Sequence, residues 1–104
     1  MDGISHRWQA LVTLGRKMSD LAMDKDLLET AKIHNAWFTP DFSKRAFKGW
    51  SQALRSEAVE QWYDQALSNG YSEAKTAKQV GILCAGNLPM VGLHDMLTAY
   101  VLGH

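Results

Sequence analysis

The last quarter of the chain, residues 78–104, limits most strongly what this sequence can fold into. Val80 to Ala85 form a short apolar run, and residues 86–89 (GNLP) follow it before a segment with helical spacing. An apolar run without polar alternation is typical of a strand buried on both faces in a parallel sheet. This succession of an apolar run, GNLP and helical spacing therefore predicts one buried strand at 79–85 and a C-terminal helix. Between them it predicts a sharp turn that presents backbone N–H groups to a ligand.

The sequence before this region has the spacing of amphipathic helices. Apolar residues recur at three and four positions from Ser5 to Met23, and again from Leu27 toward Trp37, which predicts two helices. Ser5 is a predicted cap for the first of them. Thr39 followed by Pro40 predicts the start of a third helix, with a hydroxyl at the cap and proline in the first turn.

The segment from Phe42 to Leu67 is expected to form one long helix or two shorter ones. Gly49 weakens a continuous helix, and Ser56 offers a second start. The pair at 69–70 (NG) supplies a stop, because glycine adopts the left-handed conformation that ends many helices. Mixed polar residues at 71–79 then predict a loop. The chain is thus expected to contain about four to five helices in this interpretation.

The predicted strand has no partner strand elsewhere in the sequence. A buried strand alone would leave N–H and C=O groups unpaired, at a cost of about 1–3 kcal/mol for each group. We therefore expect the chain either to dimerise through this strand or to be the N-terminal piece of a larger α/β protein whose sheet begins at Val80. Parallel sheets grow by repetition of such βα units, which favours the second alternative.

Charge and composition exclude several classes of protein. Eleven basic residues balance eleven acidic ones, so the chain has no general electrostatic footprint for nucleic acid or for an anionic membrane. No stretch approaches the roughly 18 apolar residues of a membrane span, and the N-terminus lacks a secretory signal. A single cysteine excludes an intramolecular disulfide. We expect a soluble, cytoplasmic protein.

Asn87 is the first candidate for chemistry, because it lies where strand is predicted to become helix. Its side-chain amide is placed either to hold a developing oxyanion or to cap the helix by accepting from an orphan N–H group. Gly86 and Pro89 shape the turn, and Gly92 lets the helix approach a neighbour closely. The glycines at 81, 86 and 92 do not have the spacing of a dinucleotide-binding or Walker loop.

Other chemically reactive residues favour structural roles. His94 and Asp95 are adjacent, but a pair lacks the three or four ligands that a metal site needs, so we expect no metal. Cys84 lies inside the apolar run, which predicts a packed and inert thiol. A set of aromatic residues has helical spacing and is expected to pack in the core or against another domain; the alternative is that it lines a groove for an acyl chain or a ring. The set consists of Trp37, Phe38, Phe42, Phe47, Trp50, Trp62 and Tyr63.

Residues 80–104 resemble the acyl-CoA reductase family, the fatty acid reductases of luminous bacteria, within the aldehyde dehydrogenase superfamily. The similarity lies in the segment from Val80 to Pro89 (VGILCAGNLP), in 91–95 (VGLHD) and in 102–104 (LGH). Upstream, residues 37–40 (WFTP) and the predicted helix that ends near Trp62 and Tyr63 are loosely similar to the N-terminal part of these enzymes.

The resemblance implies reduction of a fatty acyl-CoA or acyl-protein thioester to a fatty aldehyde with NADPH. The catalytic cysteine of such enzymes lies in a later domain, outside this chain, and Asn87 matches the asparagine that helps to hold the oxyanion. Gly86, Leu88 and Pro89 are then candidates for contact with the cofactor.

The resemblance also implies a fold and a domain organisation. Residues 1–77 would be an N-terminal helical segment, and residues 78–104 the first strand-turn-helix unit of a nucleotide-binding α/β domain in an aldehyde-dehydrogenase-like parent. The parent is expected to form homo-oligomers, and this fragment alone is expected to be inactive. The alternative is a small helical protein-interaction module without catalytic activity.

Overall fold

Five α-helices make up the regular secondary structure of residues 5–104, the part of the chain that the computed structural model describes. They are α1 (His6–Leu21), α2 (Lys25–His34), α3 (Pro40–Ala53), α4 (Ser56–Ser68) and α5 (Leu93–Val101). This confirms the predicted helical composition. None of the described residues forms a β-strand, and no described helix is long and apolar enough to cross a membrane.

The helix boundaries follow the capping chemistry of the sequence. The Thr39 hydroxyl accepts from the N–H of Phe42 at 3.3 Å, with Pro40 in the first turn of α3. Asp24 caps α2 by accepting from the N–H of Leu27 at 3.0 Å. Ser5 is the N-cap residue of α1, as predicted, but its hydroxyl makes no capping hydrogen bond. The segment from 42 to 67 forms two helices, which separate at residues 54–55.

The core forms around α1, which packs against α3, α4 and α5. Its buried apolar side chains are Trp8, Leu11, Val12, Leu54, Val59, Leu97 and Val101. The indole of Trp8 lies edge-to-face with three other rings, at centroid distances of 4.9 Å to Trp62, 5.3 Å to Tyr63 and 5.5 Å to Tyr71. Such perpendicular contacts add to the free energy gained by burying aromatic area. Of the aromatic residues predicted to pack, Trp50, Trp62 and Tyr63 lie against the core. Trp37 and Phe42 are instead exposed, at 67% and 46% of full accessibility, so the prediction is wrong for these two residues.

The C-terminal end of α5 is held by donors from distant parts of the chain. A guanidinium N–H of Arg7 donates to the carbonyl of Tyr100 at 2.9 Å, and the hydroxyl of Tyr71 donates to the carbonyl of Val101 at 2.6 Å. The N–H of Ala74 donates to the carbonyl of Leu102 at 2.8 Å. These bonds satisfy carbonyls that a helix end leaves without intrahelical partners. They fix the loop at 71–74 and α1 to the end of the last helix.

The predicted buried strand at 79–85 is wrong for this chain. The segment lacks strand structure, and its side chains are mostly exposed, with Leu83 at 103% and Val80 at 51% of full accessibility. Its backbone makes no hydrogen bond to any other described residue. The strand does not form because a β-ladder needs a second strand, and residues 5–104 contain none.

Candidate functional site

The turn that contains Asn87 includes more residues than the sequence predicts, because the helix begins later in the chain. The N-cap of α5 is Gly92, and the helix begins at Leu93. Met90 has a φ of 59°, in the left-handed region, so a regular right-handed helix cannot run continuously from Pro89 into α5. Asn87 consequently lies in the turn before the helix and does not cap it. Of the two predicted roles, capping is therefore wrong.

The side chain of Asn87 is available to a ligand. The residue is exposed, and its amide makes no hydrogen bond within the described part of the chain. Gly86 is also exposed, Leu88 is 51% accessible, and Pro89 is half-buried. The predicted site residues therefore lie together on one exposed turn, because they are consecutive in sequence. An exposed amide of this kind can donate two hydrogen bonds and accept at its oxygen.

Asn35, which sequence reasoning missed, ties this turn to the rest of the molecule. Its side-chain nitrogen donates to the carbonyl of Gly86 at 2.8 Å, and its side-chain oxygen accepts from the N–H of Trp37 at 3.0 Å. Asn35 is the C-cap residue of α2. The sequence shows an asparagine at the end of a predicted helix, which is a common site for a polar contact. The neighbouring residues do not reveal that its partner lies 51 positions away.

A cleft of about 260 Å³ opens beside the turn. Its walls are apolar except for one thiol, and they consist of Phe38, Cys84, Ala85, Leu88, Met90, Val91, Gly92, Leu93 and Met96. Cys84 is exposed, so the prediction of a packed thiol is wrong. Its Sγ atom nevertheless lies against Gly92, where a Cβ atom would collide with it. The predicted close approach at Gly92 is thus made to Cys84.

His94 and Asp95 are not gathered into a metal site. The imidazole of His94 stacks on Trp62, with ring centroids 5.9 Å apart and an interplanar angle of 20°. Among residues 5–104, no group of three or more His, Cys, Asp or Glu side chains is arranged to hold a metal ion. The stack instead links α4 to the first turn of α5.

A second cleft, of about 370 Å³, lies between the end of α4 and α5. Trp8, Trp62, Asn69, Tyr71 and Thr98 contribute to its walls. The indole N–H of Trp8 is buried and has no hydrogen-bond partner, which is compatible with its position among perpendicular aromatic rings, since an N–H group can point at a π face. We assign no ligand to this cleft.

Comparison with known proteins identifies no relative: no protein-family model, no curated protein and no solved structure matches this chain. The chemistry of the turn therefore rests on its own residues. What it offers is an exposed amide donor at Asn87, a backbone fixed by Asn35, and an adjacent apolar cleft. Asn87 itself does not line the cleft, whose walls include its neighbours Ala85 and Leu88.

Proposed function

We propose that this chain is the N-terminal part of an NADPH-dependent reductase that converts a fatty acyl thioester into a fatty aldehyde through a cysteine thioester, with the cysteine outside these 104 residues. The observation that carries the proposal is the exposed, unpaired amide of Asn87 in a turn whose sequence, AGNLP followed by VGLHD, resembles that of acyl-CoA reductases.

Asn87 would act when the acyl carbonyl becomes tetrahedral. Attack by a thiolate places negative charge on the carbonyl oxygen, and the side-chain N–H of Asn87 donates a hydrogen bond to that oxygen. A donor already in position stabilises the transition state more than the uncharged ground state, which lowers the barrier. The apolar cleft beside the turn supports a substrate with a hydrocarbon chain, since it offers no charged wall.

The residues of the turn are suited to contact only the uncharged part of NADPH. Residues 79–93 contain no Lys or Arg, so the phosphates of NADPH would have to be held by other parts of the parent. Gly86, Leu88 and Pro89 suit contact with an uncharged ring. When bound, NADPH supplies the hydride that reduces the thioester, and this chain contributes the shape of the turn and the amide of Asn87.

The proposal also covers the fold of the parent. In an aldehyde-dehydrogenase-like α/β protein, residues 79–85 would pair with a neighbouring strand, and residues 78–104 would begin the nucleotide-binding domain after the helical residues 1–77. The apolar composition of 79–85 and its unpaired backbone support this assignment. A cytoplasmic location and homo-oligomers of the parent belong to the same proposal.

Substitution of Asn87 tests this function. In a longer product of the same gene that contains the cysteine, Asn87→Ala should lower turnover by about 10²–10³-fold, the usual loss for one oxyanion donor. The assay is acyl-CoA-dependent oxidation of NADPH. Asn69→Ala, at the C-cap of α4, is the matched control and should leave turnover unchanged. Normal turnover of the Asn87 variant, or reductase activity of the 104-residue chain alone, would contradict the proposal.

The second candidate is a helical protein-interaction module. It is favoured by large apolar side chains on the surface, such as Trp37 at 67% and Leu83 at 103% of full accessibility. Exposed apolar patches mark interaction sites in many proteins. A stop codon directly after the codon for His104 would favour this candidate, whereas an open frame with further βα units and a cysteine would favour the reductase.

A further inference from the structure

We propose that Asn35 is a positioning residue that orients the turn at 86–87 and thereby aims Asn87. The inference rests on the function proposed above. It begins from a hydrogen bond between segments that are 51 positions apart: the side-chain nitrogen of Asn35 donates to the carbonyl oxygen of Gly86 at 2.8 Å.

This bond acts directly on Asn87 because the two residues share a peptide unit. The carbonyl of Gly86 and the N–H of Asn87 lie in one plane and point in opposite directions, since the peptide bond is planar and trans. Holding the oxygen of Gly86 therefore fixes the direction of the N–H of Asn87 and the position of its Cα atom, from which the side chain extends.

The side chain of Asn35 is itself fixed by a hydrogen bond, so it can in turn fix the position of Gly86. Its side-chain oxygen accepts from the N–H of Trp37 at 3.0 Å, which fixes the rotation of the amide and leaves its nitrogen to face Gly86. At the other end of the turn, Gly92 is buried and lies against Cys84. The turn is thus restrained on both sides of the exposed Asn87.

A capping role for the Asn35 side chain does not account for these contacts. The end of α2 is closed by the backbone N–H of Asn35, which donates to the carbonyl of Ala31 at 2.9 Å. The side chain takes no part in that bond. Replacing the side chain should therefore leave α2 intact and change the turn.

Two variants separate the donor from the acceptor of the Asn35 amide. Asn35→Asp keeps an oxygen for the N–H of Trp37 but removes the donor to Gly86, whereas Asn35→Ala removes both. In ¹H–¹⁵N spectra of the 104-residue chain, both variants should shift the amide resonances of Gly86 and Asn87 and speed their hydrogen exchange. The resonances of α4 should remain in place, and Asn69→Ala, the control, should leave residues 86–87 unchanged. Unmoved resonances of Gly86 and Asn87 in Asn35→Asp would overturn the proposal.

Kinetics then test whether Asn35 acts through Asn87. In the longer, cysteine-containing product, Asn35→Asp should lower kcat by about 10–100-fold, the range expected when a catalytic group is misplaced by up to an ångström, and leave KM nearly unchanged. Combined with Asn87→Ala, it should cause little further loss, because both substitutions remove the same interaction. Independent, multiplying losses would overturn the inference. Shifted resonances together with full turnover of Asn87→Ala would instead contradict the proposed function and leave the role of Asn35 in the turn intact.

Discussion

Two glycines within helices have different structural roles, because Gly15 is buried and Gly49 is exposed. Gly15 lies within α1 and Gly49 within α3. A Cβ atom on Gly15 would lie 2.8 Å from the Cβ of Leu54 and 3.1 Å from its carbonyl oxygen, whereas a Cβ on Gly49 would meet nothing within 4 Å. Gly15 therefore permits the close approach of α1 to the end of α3, and Gly49 only lowers helix propensity.

Alanine substitutions should distinguish the two glycines. Gly49→Ala should raise the free energy of unfolding by roughly 0.5–1 kcal/mol, because alanine loses less backbone entropy in a helix. Gly15→Ala gains the same propensity but must displace the backbone of Leu54, and overpacking of this kind costs about 1–3 kcal/mol. We expect a net loss of stability of about 1 kcal/mol or more. Urea denaturation measures both, and equal gains in stability would show that α1 and α3 are not in such close contact.

For individual side chains, the sequence predicts contacts with residues close by in the chain, but it does not predict contacts with distant residues. The caps at Thr39 and Ser5 were predictable in position because a capping residue and its helix are adjacent in sequence. The hydrogen bond from Asn35 to Gly86 was not, because it depends on how α2 lies against the later loop. The missing capping bond at Ser5 has the same origin, since the surroundings of its hydroxyl are set by the fold.

Among the elements, α5 depends most on contacts outside itself. It is a short helix, Leu93–Val101, and isolated helices of this length are marginal in water. Leu97 and Val101 contact the core, and donors from Arg7, Tyr71 and the loop satisfy its last carbonyls. Gly103, with a φ of 99°, ends it in the left-handed conformation. A glycine directly after a helical segment is a signal that the sequence itself carries, whereas the donors come from distant parts of the chain.

Tyr71→Phe should loosen the end of α5. The substitution removes the 2.6 Å hydrogen bond to the carbonyl of Val101 and retains the ring that packs against Trp8. We expect the free energy of unfolding to fall by about 1 kcal/mol, the usual net value of such a bond, with faster hydrogen exchange in α5.

Tyr63→Phe is the matched control for Tyr71→Phe. The ring of Tyr63 also packs edge-to-face on Trp8, but its hydroxyl makes no hydrogen bond to another described residue. Its removal should therefore change stability little. Similar losses in both variants would mean that ring packing, and not the hydroxyl of Tyr71, determines the effect.

The predicted strand at 79–85 does not form because strand formation depends on a partner strand as well as on the local sequence. The apolar run at 80–85 has the composition of a buried strand, but β propensity reflects packing against neighbours more than an intrinsic backbone preference. Helices satisfy their own backbone groups, so the amphipathic segments before residue 70 fold as predicted. A strand needs a second strand, which the described residues do not supply.

Residues 5–104 together form a helical unit with an attached apolar segment that stays mostly exposed. Residues 79–85 carry no charge and expose both their backbone and the side chains of Val80 and Leu83. Unpaired N–H and C=O groups in an apolar segment are a template for pairing with another chain. Two copies of the segment would meet without repulsion between charges, so the isolated chain should self-associate in solution.

Substitution of Leu83 by lysine should abolish this association. A charge on an exposed edge opposes strand pairing, and Leu83 is fully exposed, so Leu83→Lys should leave the free energy of unfolding of the helical unit unchanged. Leu67→Lys makes the same change on α4, where Leu67 is 47% exposed, and should leave association intact. Sedimentation velocity over a range of concentrations measures association, and urea denaturation measures stability. A wild-type chain that stays monomeric and melts cooperatively would contradict pairing through this segment and favour the interaction module, since the unpaired edge would then be tolerated.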